Sequence, residues 1–214
     1  MKMIQPLFLD VFKKSVYNLK PKFQDGLRPV LVILMNRGAT PNGITISALI
    51  LSVFFGASLF FSHFSKLMLL LFPFFLFFRM ALNALDGMLA VQTHQTSPVG
   101  AFLNEVCDIG SDLGIYFPFL FCSSIHPILL SSLLLLTVVS EFVGIAALVT
   151  LGKRRFEGPF GKSDRAVFFG LIAIALVIKP ASSIYFDGLL ILGIILSLLT
   201  IYHRSRSALV VAKE

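Results

Sequence analysis

Acidic and amide side chains cluster in this chain between two segments that are apolar enough to cross a lipid bilayer. Four carboxylates fall within positions 86 to 112, together with amides and small residues. An aspartate at the centre of a membrane helix costs about 2.5–3.5 kcal/mol by the lower estimates, so such a cluster needs cations, water or a polar ligand. The window is therefore predicted to be the functional site. Its residues are Asn83, Asp86, Gly87, Ala90, Gly100, Asn104, Glu105, Asp108 and Asp112.

The composition is that of an integral membrane protein. Of 214 residues, 57% are hydrophobic and 14% are charged, against about 25% charged residues in soluble domains. The length fits a single membrane domain covering residues 1–214. Six apolar runs predict an all-α fold with six transmembrane helices over about 44–202. The expected spans are Ile44–Ser62, Leu67–Leu85, Ala101–Phe121, Ile128–Leu151, Ala166–Ile178 and Leu189–Tyr202.

Residues 1–43 are predicted to form a cytoplasmic or interfacial segment ahead of the first span. Apolar residues between Leu7 and Tyr17 repeat at roughly helical spacing and alternate with lysines. This pattern is typical of an amphipathic helix lying in the membrane interface. A disordered tail with scattered apolar residues is the alternative. At the other end, residues 203–214 are predicted to be a cytoplasmic tail.

Lysine and arginine are distributed unequally between the two sides of this six-span arrangement. The N-terminal segment holds seven, Gly152–Arg165 holds five and the C-terminal tail holds three, which makes 15 of the 18 in the chain. Because these residues favour the cytoplasmic side, both termini and the site are predicted to face the cytoplasm in the cell (inner) membrane. The net charge of +7 is attributed to contact with anionic membrane lipids, not to nucleic acid.

Helical spacing groups the polar residues into two stripes, which a short connection should bring together on antiparallel neighbouring helices. The acids outnumber the one intramembrane cation four to one, and this excess predicts a divalent metal with oxygen ligands. Buried salt bridges with the intramembrane arginine and nearby lysines are the alternative. The stripes are Arg79, Asn83 and Asp86 on the second span, and Glu105, Asp108 and Asp112 on a face about 60° wide of the third.

The same window resembles the signature of the CDP-alcohol phosphatidyltransferases, D-x-x-D-G-x-x-A-R-x8-G-x3-D-x3-D. The run TPNGIT at positions 40–45 is similar to the family's T-P-N-x-[IL]-T run before the first span. The resemblance extends over the whole chain and agrees with six spans behind an interfacial helix. The matching signature residues are Asp86, Gly87, Ala90, Gly100 and Asp108.

Three residues depart from that signature. Asn83 and Asn104 stand where the family has aspartates, and Val91 stands where it has arginine. The run Arg79–Gly87 resembles a divergent bacterial branch of the family that shares such replacements. Because Glu105 and Asp112 lie on the helix face of the last signature aspartate, the site is interpreted as rearranged, with four carboxylates kept.

The resemblance implies phospholipid biosynthesis: a phosphatidyl group passes from CDP-diacylglycerol to an alcohol acceptor and CMP is released. The implied cofactor is Mg²⁺ or Mn²⁺, and the implied base is Asp108 or Asp112. A homodimer in contact with membrane lipids is also implied. The metal is expected at Asn83, Asp86, Asn104, Glu105, Asp108 and Asp112. The substrates are expected at Asn42, Arg79, Gly87, Ala90, Gly100, Lys162 and Arg165.

Several of these residues have simpler interpretations. Asn42 follows Pro41 and could be a helix cap or turn residue. Lys162 and Arg165 follow Gly161 at a helix start, which suits an anion such as an acceptor phosphate or the nucleotide diphosphate. Ordinary anchoring of a basic loop on the cytoplasmic side explains them equally well.

Two other functions remain open. An inactive binding or regulatory protein of the same family would explain the two asparagines. A small transporter with an intramembrane acidic site is the other candidate, but its polar path should reach both faces. Apart from Glu141, the polar groups here concentrate on one side.

Overall fold

Helices make up nearly all of this chain in a computed structural model that describes residues 7–152, 154–179 and 183–211. Side chains are described for residues 21–152, 154–179 and 184–209. The described part contains no strand, which confirms the all-α class. The helices are α1 (Leu7–Asn36), α2 (Pro41–Phe61), α3 (Lys66–Gln92), α4 (Pro98–Tyr116), α5 (Pro127–Leu151), α6 (Lys162–Ile178) and α7 (Ser183–Val211), with a short 3₁₀ helix at Phe117–Phe121 after α4.

Four of these helices, α2, α3, α5 and α7, are long and apolar enough to cross a membrane. They indicate a multi-pass membrane protein. In the described part of the chain, α4 and α6 do not reach that standard: α4 carries three carboxylates and α6 has 17 residues. The predicted number of six spans is therefore not confirmed.

The two ends of the chain extend further as helix than the hydropathy pattern predicts. Helix α7 continues to Val211, so most of the predicted tail at 203–214 is helical. Helix α1 begins at Leu7, but the side chains of residues 1–20, which form the predicted apolar stripe, lie outside the described part. The interfacial position of α1 stays a prediction.

Side-chain caps fix the starts of the helices that lead into the polar window. The Thr40 hydroxyl accepts a hydrogen bond from the Gly43 amide at 3.2 Å, and Pro41 occupies the first turn of α2. At the start of α4, the Ser97 hydroxyl accepts from the Gly100 amide at 3.0 Å. Such caps satisfy amides that have no partner within the helix. Asn42 was alternatively predicted to be a helix cap, but the cap of α2 is Thr40.

Glycines allow α2 and α4 to cross at close range. A Cβ atom built on Gly56 would overlap the backbone of Gly114, and one built on Gly114 would lie 2.8 Å from the Val53 side chain. Small residues at such crossings let two backbones approach each other. This contact packs the glycine face of α4 against α2, and the acidic face lies on another side of the helix, toward Asn83 and Arg79 of α3.

Aromatic side chains fill the core beyond the acidic residues. The Tyr116 ring stacks on Phe169 of α6 at 4.0 Å between centroids, and Phe72 meets Phe119 edge to face at 5.1 Å. All four rings are buried. They join α3, α4 and α6 into one packed unit, which holds the start of α6 against the acidic face of α4.

Candidate functional site

Residues of six helices meet at the polar window. Hydrogen bonds join α2 to α3, α3 to α4, α6 to α4 and α5, and α7 to the backbone of α5. The two predicted polar stripes therefore do meet. They are joined by a third group of polar side chains, contributed by the α5–α6 loop and by α5, α6 and α7.

Asp86 lies at the centre of this convergence and is 6% exposed. Its Oδ2 atom accepts a 2.7 Å hydrogen bond from the Thr45 hydroxyl of α2, and its Oδ1 atom accepts from the Gly87 amide at 2.6 Å. Among the described residues, no lysine or arginine forms an ion pair with it. A buried carboxylate held only by neutral donors favours a bound cation.

Asp108 is also 6% exposed and lies across from the polar stripe of α3. The Asn83 amide nitrogen donates to its Oδ1 atom at 2.7 Å, and the Lys162 ammonium pairs with Oδ2. The lysine side chain is 30% exposed, so its long stem is free to move away. Asp108 is therefore accessible to a ligand when Lys162 is displaced.

Asp112 is placed differently. Its Oδ1 atom lies 2.6 Å from Arg79 Nη1, and its Oδ2 atom accepts from Arg165 Nη2 at 2.7 Å and Nε at 3.0 Å. Arg79 also donates to the backbone carbonyl of Asp108 at 3.3 Å. Two buried guanidinium groups thus neutralise Asp112, and Arg165 is only 1% exposed.

Glu141 of α5 is the hub of a wider ion-pair network. It is 3% exposed and lies 3.0 Å from Arg165, 3.0 Å from Arg154 and 3.5 Å from Arg204. Arg154 continues the network to Glu105 of α4. Burial, with the nearby Arg204 charge, lowers the pKa of the Arg154 guanidinium to about 10, which still leaves it charged at neutral pH.

These ion pairs correct the expected charge balance. The carboxylates were expected to outnumber the cations, but Glu105 and Asp112 are matched by arginines from the α5–α6 loop, α3 and α6. In the part of the chain that the structure describes, no group of three acidic, histidine or cysteine side chains is arranged to hold a metal. Among the described residues, guanidinium groups thus pair with two of the four carboxylates of the predicted rearranged cluster.

The remaining predicted residues lie around this centre. Gly100 lies against α2, since a Cβ atom there would come within 3.1 Å of Asn42 Oδ1. Gly87 lies in α3 beside open space, because no atom lies within 4 Å of a Cβ built there. Ala90 is half-buried on α3, and Asn104 is half-buried on α4 next to Glu105. Asn42 itself is exposed at the start of α2.

Sequence comparison decides the family. A family model described as CDP-alcohol phosphatidyltransferase matches residues 38–201. The inner membrane protein YnbA of Escherichia coli (strain K12) is 42% identical over 200 residues, which cover 94% of this chain and 99% of that protein. The chain belongs to the CDP-alcohol phosphatidyltransferase family.

Solved structures share the fold of this CDP-alcohol phosphatidyltransferase family member. Phosphatidylinositol phosphate synthase (PgsA1) of Mycobacterium tuberculosis with CDP-DAG bound matches with a TM-score of 0.70 and 21% identity, over 84% of this chain and 92% of that one. The same enzyme in complex with manganese and citrate gives a TM-score of 0.70 and 21% identity, over 84% and 87%. At this identity the likeness concerns the fold alone.

A divalent cation, which the family implies, fits this family member at one place. Asp86 forms no ion pair among the described residues, and the Asn83 amide, one turn away on α3, donates to Asp108 and keeps a carbonyl oxygen that can serve as a ligand. Two carboxylates and an amide oxygen are hard ligands of the kind that Mg²⁺ and Mn²⁺ take. The donor set therefore suits one cation between α3 and α4. Glu105 and Asp112 do not add to it, because each is held by arginine.

Several residues of the site are not among those predicted. Thr45 orients Asp86, Glu141 collects three arginines, and Arg154 and Arg204 enter the network although their positions indicated only basic surface anchors. Glu141 gave a signal in the sequence, because a lone glutamate deep in an apolar segment needs a cation. Of its partners, Arg165 was expected to bind substrate, whereas Arg154 and Arg204 gave no signal beyond their basic character.

Proposed function

We propose that this protein is a phospholipid-synthesising transferase that moves a phosphatidyl group from CDP-diacylglycerol to an alcohol and releases CMP. The observation that carries the proposal is the convergence of the α3 and α4 polar stripes at positions that match the family signature: Asn83, one turn before Asp86 on α3, donates to Asp108 of α4. Asp86 lies there as a buried carboxylate that forms no ion pair among the described residues. The family membership and the fold shared with PgsA1 support the same reaction.

We assign the proton transfer to Asp108. Its carboxylate would accept the proton of the acceptor hydroxyl, whose oxygen attacks the lipid-side phosphorus while the bond to the CMP oxygen breaks. Asp112, the other predicted base, is less suited to this role because Arg79 and Arg165 hold both of its oxygens. Its role is then to position those two arginines beside Asp108.

A single Mg²⁺ or Mn²⁺ is proposed at Asp86 and Asp108, with Asn83 as a neutral ligand and Asn104 on the adjoining face. Such a cation, when bound, would neutralise the diphosphate and orient its phosphorus. Lys162 pairs with Asp108 and is proposed to turn toward the diphosphate when substrate binds, since its exposed ammonium can move. Gly87 leaves room for the nucleotide beside α3, and Gly100 lets α4 approach Asn42, a residue expected to contact the substrate.

The decisive experiment is incubation of the purified protein with CDP-diacylglycerol, Mn²⁺ or Mg²⁺ and a panel of alcohols, with CMP and new lipid as readouts. Asp86→Asn and Asp108→Asn should abolish product formation and leave insertion and folding intact, since each removes charge without changing size. Near-normal turnover in both variants would refute the assignment of the site.

A non-catalytic member of the family is the second candidate. It is favoured by the arginines that neutralise Glu105 and Asp112, because these pairs reduce the number of carboxylates open to metal. The same assay separates the two: a binding or regulatory protein would bind CDP-diacylglycerol and release no CMP at any metal concentration.

We further propose a homodimer in the inner membrane with both termini and the site on the cytoplasmic side. The dimer rests on the family resemblance, and the orientation rests on the lysine and arginine bias. Crosslinking in native membranes tests the dimer.

A further inference from the structure

Two arginines flank Asp108 on the same face of α4. Glu105 lies three residues before Asp108 and pairs with Arg154, whereas Asp112 lies four residues after it and pairs with Arg165. Residues three or four apart on a helix are neighbours about one turn, or about 5 Å, apart along the axis. A molecule whose hydroxyl reaches Asp108 therefore lies within reach of at least one of these pairs.

The positive charges in this region are already compensated. Five cations there, Arg79, Arg154, Lys162, Arg165 and Arg204, are matched in number by five carboxylates, Asp86, Glu105, Asp108, Asp112 and Glu141. A phosphate monoester brings a charge of about −1.5 to −2 at pH 7 and needs cations in place of its water shell. Among the described residues beside Asp108, no arginine is left without a carboxylate to balance such a charge.

The Glu105–Arg154 pair has one hydrogen-bond donor and one acceptor without a partner among the described residues. Arg154 Nε and Glu105 Oε2 are both buried and have no hydrogen-bond partner among the described residues. A hydroxyl group donates one hydrogen bond and accepts two, so it can satisfy a carboxylate oxygen and a guanidinium nitrogen together. A phosphate oxygen only accepts and would be repelled by Glu105, whereas an ammonium only donates.

From this arrangement we infer that the acceptor is an uncharged, hydroxyl-rich molecule, such as a polyol or a sugar, and that the Glu105–Arg154 pair selects it against phosphorylated acceptors. The inference rests on the proposed transferase function. It also replaces the expectation that Lys162 and Arg165 bind an acceptor phosphate. Glu105 is thus a specificity-determining residue, and its charge keeps Arg154 from binding anions.

The test compares matched acceptors on the wild-type protein. Glycerol is set against glycerol 3-phosphate, and inositol against inositol phosphate, with ethanolamine as the cationic alcohol and CMP release as the readout. The neutral member of each pair should be used at lower KM than its phosphate ester and than ethanolamine. Binding of each acceptor to the protein without CDP-diacylglycerol, measured by calorimetry, should follow the same order.

The matched variants are Glu105→Gln and Glu157→Gln. The first leaves the Arg154 charge less compensated, and one charge-assisted contact should lower the KM for phosphate esters about ten- to a hundredfold. The second also removes one negative charge, but its partner is Arg155 at 3.2 Å, a residue not paired with α4. Glu157→Gln should therefore leave the KM for phosphate esters unchanged.

The possible outcomes are distinct. Preference of the wild-type protein for a phosphate ester or for ethanolamine would overturn the inference and leave the transferase function standing. If the KM for phosphate esters falls equally in both glutamine variants, the role of the Glu105–Arg154 pair is overturned, because the loss of overall negative charge would then explain the lower KM. Absence of CMP release with every acceptor would refute the proposed function itself, and the inference with it.

Discussion

Glu141→Gln tests the buried ion-pair network directly. The glutamate is 3% exposed and contacts three guanidinium groups, two of them at 3.0 Å and the third at 3.5 Å. Glutamine keeps the shape and one acceptor oxygen but removes the charge. The three arginines would then share less negative charge in a site sealed from water.

The expected loss follows from that burial. Removing one partner of a buried pair and leaving its counter-charge typically costs about 3–5 kcal/mol. For a chain of this length each kcal/mol corresponds to about 2–4 °C in Tm, so the variant should melt about 6–20 °C lower. Thermal unfolding in a single detergent, followed by circular dichroism, measures the difference.

Asp25→Asn is the matched control for this experiment. Its side chain is 63% exposed and pairs with Arg28 at 2.9 Å, a surface pair of the kind worth about 0–1 kcal/mol. Its Tm should therefore change by a few degrees at most. If both variants lose the same few degrees, the network contributes no more than surface ion pairs and the argument from burial is wrong.

Three further predictions concern metal use, packing and topology. Asp112→Asn should leave the Mn²⁺ concentration for half-maximal activity unchanged, because arginines hold that carboxylate. A tenfold rise in this concentration would show instead that Asp112 is a metal ligand. Gly56→Leu should destabilise the α2–α4 crossing by several kcal/mol, whereas Gly188→Ala, which has open space around it, should be neutral or stabilising in thermal unfolding. A cysteine placed at the exposed Ser163, in a background without the buried Cys107 and Cys122, should react with impermeant reagents only from the cytoplasmic side; labelling from outside intact cells would contradict the orientation.

The polar window could be located from the sequence because its signal is local. Carboxylates and amides recur there at helical spacing inside apolar segments, and the cost of placing them in lipid is independent of the rest of the chain. The two stripes, and the meeting of α3 and α4, followed from a period of 3.6 residues and a short connection. The two stripes contact each other where Asn83 donates to Asp108 and Arg79 pairs with Asp112.

The charge balance of the site could not be read in the same way. Lysine and arginine counts favour one side of the membrane, and Arg154 and Arg204 were assigned to that surface bias. The structure turns their side chains inward to Glu105 and Glu141. Hydropathy does not distinguish an arginine that faces lipid head groups from one that pairs with a buried acid.

The sequence by itself thus determined the helical class, the apolar segments and the acidic stripes, since each depends on neighbours within a few residues. Tertiary structure decided which carboxylates remain open to a cation and which are held by arginine. Asp112 meets Arg165 across 53 positions of the chain and Glu141 meets Arg204 across 63. Such pairs depend on how helices pack, and packing is fixed by contacts such as the Gly56–Gly114 crossing, which bring distant residues together.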